Sequence, residues 1–243
     1  MTRVSALLVT RRPAFLPLIV RLLERQTRPF DEVVTVLHDL PKTSLPAMLR
    51  ARLEALGPVE TVAGTEPLGA CLMRAASLAS GDLLAKIDDD DLYCADYLAE
   101  ALTVMATSGA AVVGKAEQFV WCEATGCLHL AYPGTGMRPQ DYVAGGTLLF
   151  ERRLAQHPGF PPVSLGEDTA FLEGSRALGA LIQASSRRNY LYRRFGAAHR
   201  HAASKVPWLE GAPILRRGLE RAPLWRLLQL AGDNHATAAF DDA

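Results

Sequence analysis

The sequence predicts an α/β domain built on a doubly wound, mostly parallel sheet flanked by helices, with a mixed second half and a helical C-terminal tail. Three observations lead there. Short apolar runs alternate with segments of helical periodicity over the first hundred or so residues. Four successive aspartates come directly after one of those apolar runs. Beyond residue 110 the alternation gives way to short strand-like runs separated by turns.

Val4-Ser5-Ala6-Leu7-Leu8-Val9 reads as a buried strand. Leu16, Ile19, Val20 and Leu23 keep the i, i+3, i+4, i+7 spacing of one helix face, and Pro29 closes that region. Val33-Val34-Thr35-Val36-Leu37, rich in β-branched residues, is a second strand. Residues 47–56 are helical, closed by Gly57-Pro58, and 59–62 form a weaker strand. Leu68, Leu72, Ala75, Ala76 and Ala79 mark the next helix, which stops at Ser80-Gly81. Leu83-Leu84-Ala85-Lys86-Ile87 is then a strand, and Tyr97, Leu98, Ala101, Leu102 and Met105 form a further helix face. Residues 111–114, 119–122 and 128–131 read as short strands; 132–141, with Pro133, Gly134, Gly136 and Pro139, reads as a loop.

The 243 residues, 49% of them hydrophobic, suffice for one large core. Lys+Arg and Asp+Glu balance at 26 each, so the whole chain carries no electrostatic footprint for nucleic acid. The richness in arginine and alanine is a composition typical of GC-rich bacterial genomes. Residues 4–9 are too short for a signal core or a membrane span. Cys71, Cys94, Cys122 and Cys127 form no C-x-x-C pair and no zinc spacing. Buried free thiols in a reducing cytoplasm are expected, a Cys122–Cys127 hairpin disulfide being the alternative.

In residues 208–230, Trp208, Leu209, Ile214, Leu215, Leu219, Leu224, Trp225, Leu227 and Leu228 alternate with Arg216, Arg217, Arg221 and Arg226. This reads as a basic amphipathic helix bent at Pro223. It is expected to pack on its own domain or on a second subunit, as in a homodimer. The alternative is peripheral attachment to an anionic membrane surface, on the inner face.

In an open parallel sheet, ligands bind outside the carboxyl ends of the strands. Those ends carry Thr10-Arg11-Arg12, His38-Asp39 and Asp88-Asp89-Asp90-Asp91. Neither G-x-G-x-x-G nor G-x-x-x-x-G-K comes after the first strand, so a phosphate would lack the usual glycine cradle. Carboxylates repel a diphosphate unless a divalent cation lies between them, and carboxylate, cation and phosphate together make a normal Mg²⁺ or Mn²⁺ site. An acidic run can also be a solvated turn or a helix cap. Four aspartates directly after a buried strand repel one another, which is costly for a mere turn. An EF-hand needs Gly and Glu where Tyr93 and Ala99 stand, and a prenyl-diphosphate synthase would be all-helical.

The ordered set of segments resembles the family-2 glycosyltransferases of the GT-A fold. Residues 4–10, Gln26-Thr27-Arg28-Pro29 and Asp39 match the opening of that family; Leu68-Gly69-Ala70-Cys71-Leu72-Met73-Arg74-Ala75 and Lys86-Ile87-Asp88-Asp89-Asp90-Asp91 match its approach to the D-x-D motif. Gly145-Gly146-Thr147 and Gly166-Glu167-Asp168-Thr169 resemble its acceptor-side and acid/base motifs. The segment from Asn189-Tyr190 to His199 resembles the family's later strand and histidine. The resemblance covers about residues 3–201. It departs at Met73, where the family commonly has Asn, and at His38, where it has Asp.

The resemblance implies a Rossmann-like domain over 1–203, with a nucleotide-sugar half to about residue 115 and an acceptor half over 116–203, before an extension over 204–243. It implies that Thr10, Arg12 and Asp39 hold the nucleoside, with Arg74, Lys86 and Gly146 also on the donor. Asp88 faces the ribose or diphosphate, and Asp90 binds the metal with Asp88 and His199. Asp89 and Asp91 leave the motif's register open by one, and His201 is an alternative ligand. Asp168, beside Glu167, is implied as the catalytic base of an inverting transfer from a nucleotide-sugar, by preference a UDP-sugar, to an acceptor hydroxyl. Glu167-Asp168 also suits a plain helix N-terminus, and Lys86 and Lys115 suit either a structural or a phosphate-side role. Two rivals remain: a sugar nucleotidyltransferase, which would need a glycine in the Thr10-Arg11-Arg12-Pro13 loop, and a catalytically inactive nucleotide-sugar-binding module.

Overall fold

The computed structural model describes residues 2–194, 209 and 211–236. The first half lays down β1 (Val4–Thr10), α1 (Leu16–Glu24), β2 (Glu32–His38), α2 (Ala47–Leu56), β3 (Val59–Val62), α3 (Leu68–Leu78) and β4 (Leu83–Ile87). A two-residue strand, β5 (Leu92–Tyr93), comes after the acidic run and leads into α4 (Tyr97–Ser108). The second half contains β6 (Val112–Gly114), β7 (Gln118–Cys122), β8 (Cys127–Ala131), β9 (Leu149–Glu151), α5 (Arg153–Gln156), α6 (Glu167–Ala177), β10 (Ile182–Ala184) and β11 (Tyr190–Arg194). The tail adds β12 (Ile214–Arg216) and α7 (Leu224–Leu230).

Seven strands form the main sheet, in the order β10-β6-β9-β4-β1-β2-β3. All of its pairs are parallel except those of β9, which runs antiparallel between β4 and β6. A strand buried on both faces reads as a continuous apolar run, and β1 and β4 do so. On one face α1 buries Leu16, Ile19, Val20, Leu22 and Leu23, started by a proline in its first turn. On the other, α3 buries Cys71, Leu72, Ala75 and Ala76. A second, mixed sheet of five strands, β12-β8-β7-β11-β5, continues from the acidic run. The chain therefore has the mostly parallel, helix-flanked α/β architecture expected, with its mixed sheet in the second half.

The strand order reverses at β1, which lies between β2 and β4, and such a switch point opens a crevice at the carboxyl ends. Leu8 pairs with Ile87 in this register, which sets Thr10 against the acidic run. Residues of two segments nearly eighty positions apart, Thr10 and Asp89, are thus adjacent by topology alone.

Two expectations on the elements change. Residues 149–151 and 182–184 are strands that periodicity did not reveal, because three-residue strands carry no legible period and are fixed by non-local pairing. The tail is not one helix from Trp208. Residues 214–216 pair antiparallel with β8, and the helix begins only at Leu224, directly after Pro223. Pro213 and Gly218, the latter at φ +76°, break any helix before that point. All four cysteines are free thiols, Cys122 and Cys127 lying opposite each other on β7 and β8.

The tail packs on its own domain. Leu219, Leu227, Leu228 and Ala231 join the core that contains Ile19, Leu92 and Leu98. Asp233 accepts hydrogen bonds from the Ala95 N–H and from Arg25, each at 3.3 Å. No helix among the described residues is long and apolar enough to cross a membrane. Leu228 is fully buried, so Leu228→Ala should lower unfolding free energy by about 2–5 kcal/mol. Urea denaturation monitored by circular dichroism measures this, and an unchanged midpoint would contradict the packing described.

Candidate active site

The four aspartates divide by burial. Asp89 and Asp91 are buried, whereas the side chains of Asp88 and Asp90 keep 37% and 13% of their surface exposed. Asp89 accepts from the Thr10 hydroxyl and from the Arg12 guanidinium, whose other arm reaches Asp90 at 2.7 Å. Asp91 accepts from the Tyr190 hydroxyl and from the Arg193 N–H at 3.0 Å. Burial raises the pKa of Asp89 despite Arg12 and Thr10. Burial, and then the charges of Asp90 and Asp88, raise that of Asp91 further. Arg12 is itself half-buried; burial opposes its charge, but Asp89 and Asp90 outweigh that and its pKa rises. Two aspartates are thus consumed inside the fold, and the pair left facing outward is Asp88 and Asp90.

Lys86, the penultimate residue of β4, points the same way. Its ammonium lies 2.7 Å from Asp88, and its side chain is almost fully buried. Burial opposes the charge, yet Asp88, Asp168 and Glu167 together raise its pKa, so it stays a cation. That reach connects the acidic run to the N-terminus of α6. Glu167 and Asp168 occupy the first turn of α6, where the positive helix end favours carboxylates, behind Gly166 at φ +79°. Glu167 is buried; burial raises its pKa, Lys86 opposes the rise, and Asp168 and Asp88 add to it. Their place at the helix terminus leaves both carboxylates within the reach of the Lys86 field.

Between the two acidic groups runs the tight turn Gly145–Thr147. The Gly145 Cα faces the Asp168 carboxylate, and the Gly146 Cα faces that of Asp88. Beneath the turn, the Tyr93 hydroxyl accepts the Asp88 N–H at 2.9 Å and donates to the Gly146 carbonyl at 2.6 Å. The Tyr97 hydroxyl donates to the Thr147 carbonyl at 3.0 Å. The rings of Tyr93, Tyr97 and Tyr190 pack together, with centroids 4.9 to 6.4 Å apart. None of the three tyrosines stands out in the sequence as a site residue, because a buried aromatic reads as core.

The remaining residues predicted from the sequence are spread more widely. Asp39, just after β2, takes a left-handed backbone (φ +57°), is 64% exposed, and pairs with Arg11 at 3.6 Å. Arg74 is engaged at the surface of α3 by Glu60 at 2.9 Å rather than by the acidic cluster. Lys115 is buried against Glu100 and the Ser186 carbonyl, at 3.1 and 2.8 Å, which is a structural role. His199 and His201 lie outside the described residues. Tyr142, which the sequence did not single out, is half-exposed; burial and then Asp168 raise its pKa.

Among the described residues no group of three or more His, Cys, Asp or Glu is arranged to enclose a metal ion. Asp88, paired with Lys86, and Asp90, paired with Arg12 and mostly buried, are two hard oxygen donors that keep some exposed surface. That set suits an Mg²⁺- or Mn²⁺-type ion that arrives with a diphosphate, since such ions take one or two carboxylates and complete their shell with phosphate oxygens and water.

Arg12 is the cation that makes the buried Asp89 tolerable. Arg12→Met should lower stability by about 1–3 kcal/mol, the cost of leaving a buried charged acceptor underbonded while Thr10 still donates. Chemical denaturation checks this, and wild-type stability would mean that Asp89 does not depend on Arg12.

No protein-family model matches the sequence, and no curated protein matches it. Solved structures do. S. aureus TarS 1-349, a glycosyltransferase, superposes with TM-score 0.61 at 18% identity, covering 79% of this chain and 60% of that one. The same protein in complex with UDP gives 0.60 at 18%, covering 79% and 60%. Its complex with UDP-GlcNAc gives 0.60 at 18%, covering 84% and 61%. The chain spans about 60% of the length of these structures. At this identity the likeness concerns the fold alone: the chain shares the α/β fold of these structures.

Proposed function

We propose that this chain is a metal-dependent, inverting glycosyltransferase of the family-2 type, moving a sugar from a UDP-sugar to an acceptor hydroxyl. The observation that carries the reading is the convergence on one glycine turn of Asp88, against Gly146, and Asp168, against Gly145, at the switch point of the sheet. The neighbours crystallised with UDP and UDP-GlcNAc support the choice of nucleotide.

Asp88 and Asp90 would hold a divalent cation against the donor diphosphate, with Thr10, Arg12 and Asp39 lining the side where the nucleoside lies. When bound, the cation supplies Lewis-acid stabilisation of the negative charge that grows on the departing phosphate. Asp168 accepts the proton of the attacking hydroxyl, on the face of the sugar opposite the leaving group, as direct displacement requires. Lys86 keeps the carboxylates on both sides partly neutralised without reaching solvent itself. The nucleotidyltransferase alternative is weakened by Arg12, which is engaged by Asp89 and Asp90 rather than free to hold a triphosphate.

Two outcomes test the proposal. UDP should raise the melting temperature far more with Mn²⁺ or Mg²⁺ than in EDTA, by about 2.7 kcal/mol of stabilisation at about 100 times its dissociation constant. Equal stabilisation in EDTA would remove the metal bridge. Asp168→Asn should fold, bind UDP as the wild type does, and lose transfer by about two to four orders of magnitude. If it instead retains turnover while Glu167→Gln is inactive, the base is Glu167.

A further inference from the structure

Gly145 and Gly146 stand out for a reason unrelated to backbone freedom. Neither has a positive φ, so any residue could adopt their conformation. What they lack is space. A Cβ on Gly145 would overlap the Asp168 carboxylate, coming within 2.7 Å of Cγ and 2.9 Å of the Asp168 Cβ. A Cβ on Gly146 would come within 2.7 Å of Asp88 Oδ2, 3.0 Å of its Cγ and 3.2 Å of Asp91 Oδ2. Two consecutive residues of one turn therefore each seat a different carboxylate, one from each side of the site.

The turn beneath them cannot give way easily. The Thr147 hydroxyl donates to the Ala144 carbonyl at 2.6 Å and accepts the Lys115 N–H at 2.9 Å. Ala144 N–H bonds the Lys115 carbonyl at 2.7 Å. Tyr93 fixes the Gly146 carbonyl and the Asp88 N–H with one hydroxyl, so the turn and the acidic run share a single buried anchor. We propose that the Gly145–Gly146 turn is a spacer that sets how far Asp168 stands from Asp88, with Gly145 positioning Asp168, Gly146 positioning Asp88, and Tyr93 tying the spacer to the acidic run. The steric part stands on geometry alone; the division of labour between proton acceptance and donor binding rests on the proposed function.

The two glycines then have separable signatures. In the full chain, Gly145→Ala should bind UDP with Mn²⁺ as the wild type does in calorimetry, while kcat for transfer falls on the order of 100-fold, the scale of an ångström-size misplacement. Gly146→Ala should weaken UDP binding in Mn²⁺ by about tenfold or more, since about 1.4 kcal/mol of lost donor-side contact is a factor of ten. The double variant Gly145→Ala/Asp168→Asn should lose no more kcat than Asp168→Asn alone. Wild-type kcat in Gly145→Ala, or fully additive losses in the double variant, would overturn the spacer. Should either alanine variant fail to fold, Tyr93→Phe adds no atom to the turn and should lower both UDP affinity and kcat; no change in either would equally overturn it. If the wild type neither binds UDP nor transfers sugar, the proposed function fails. The steric claim is then decided by a crystal structure of Gly145→Ala, in which an unmoved Asp168 carboxylate would overturn the spacer.

Discussion

Four carboxylates in succession at the end of a buried strand are an electrostatic problem that the fold has to solve before the site can do any chemistry. Two like charges about 4 Å apart repel by about 4 kcal/mol at an effective dielectric constant of about 20, and burial adds a desolvation cost. The solution is unequal. Asp89 is turned inward onto Thr10 and Arg12, and Asp91 onto Tyr190 and the Arg193 backbone. Lys86 serves the outward Asp88 from below. The first and the third carboxylate of the run keep some surface accessible, Asp88 more than Asp90.

The partners in this solution come from distant parts of the sequence, so the whole architecture is recruited to it. Parallel pairing of β1 with β4 supplies Thr10 and Arg12; the second sheet supplies Tyr190 through the antiparallel pairing of β11 with β5. The antiparallel β9, inserted between β4 and β6, is what brings Gly145–Thr147 alongside the acidic run. The tail closes the far side of the same core, where Leu228 and Asp233 meet the segment around Cys94 and Ala95. The acidic run and the glycine turn are consequently parts of one packed unit, tied by Tyr93.

Much of this is legible in the sequence wherever the signal is local. The strands ending at Thr10 and Ile87 announce themselves as apolar runs, the face of α1 by its spacing, and the acidic run by its improbability as a turn. The register within the run is not legible. Past the end of a strand, side-chain direction is decided by partners about eighty to a hundred positions away, and nothing in Asp88-Asp89-Asp90-Asp91 itself distinguishes one aspartate from the next. The three tyrosines are hidden because aromatic residues near a core carry no functional mark. Arg74 reads as a donor contact from its motif neighbourhood, but its pairing with Glu60, from α3 to β3, is not legible there. The tail's apolar and basic alternation suits a helix, but Pro213, Gly218 and Pro223 confine the helix to seven residues.

Under the proposed function, Asp88 and Asp90 hold a divalent cation against a nucleotide diphosphate, with Asp168 across the glycine turn. A crystal grown with UDP and MnCl₂, measured at the manganese absorption edge, addresses it directly. A single strong anomalous peak is expected within about 2.0–2.6 Å of carboxylate oxygens from Asp88 or Asp90 and of the diphosphate, the usual range for such ions and oxygen ligands. UDP bound with no anomalous peak at that position, or a peak coordinated by other residues, would contradict it.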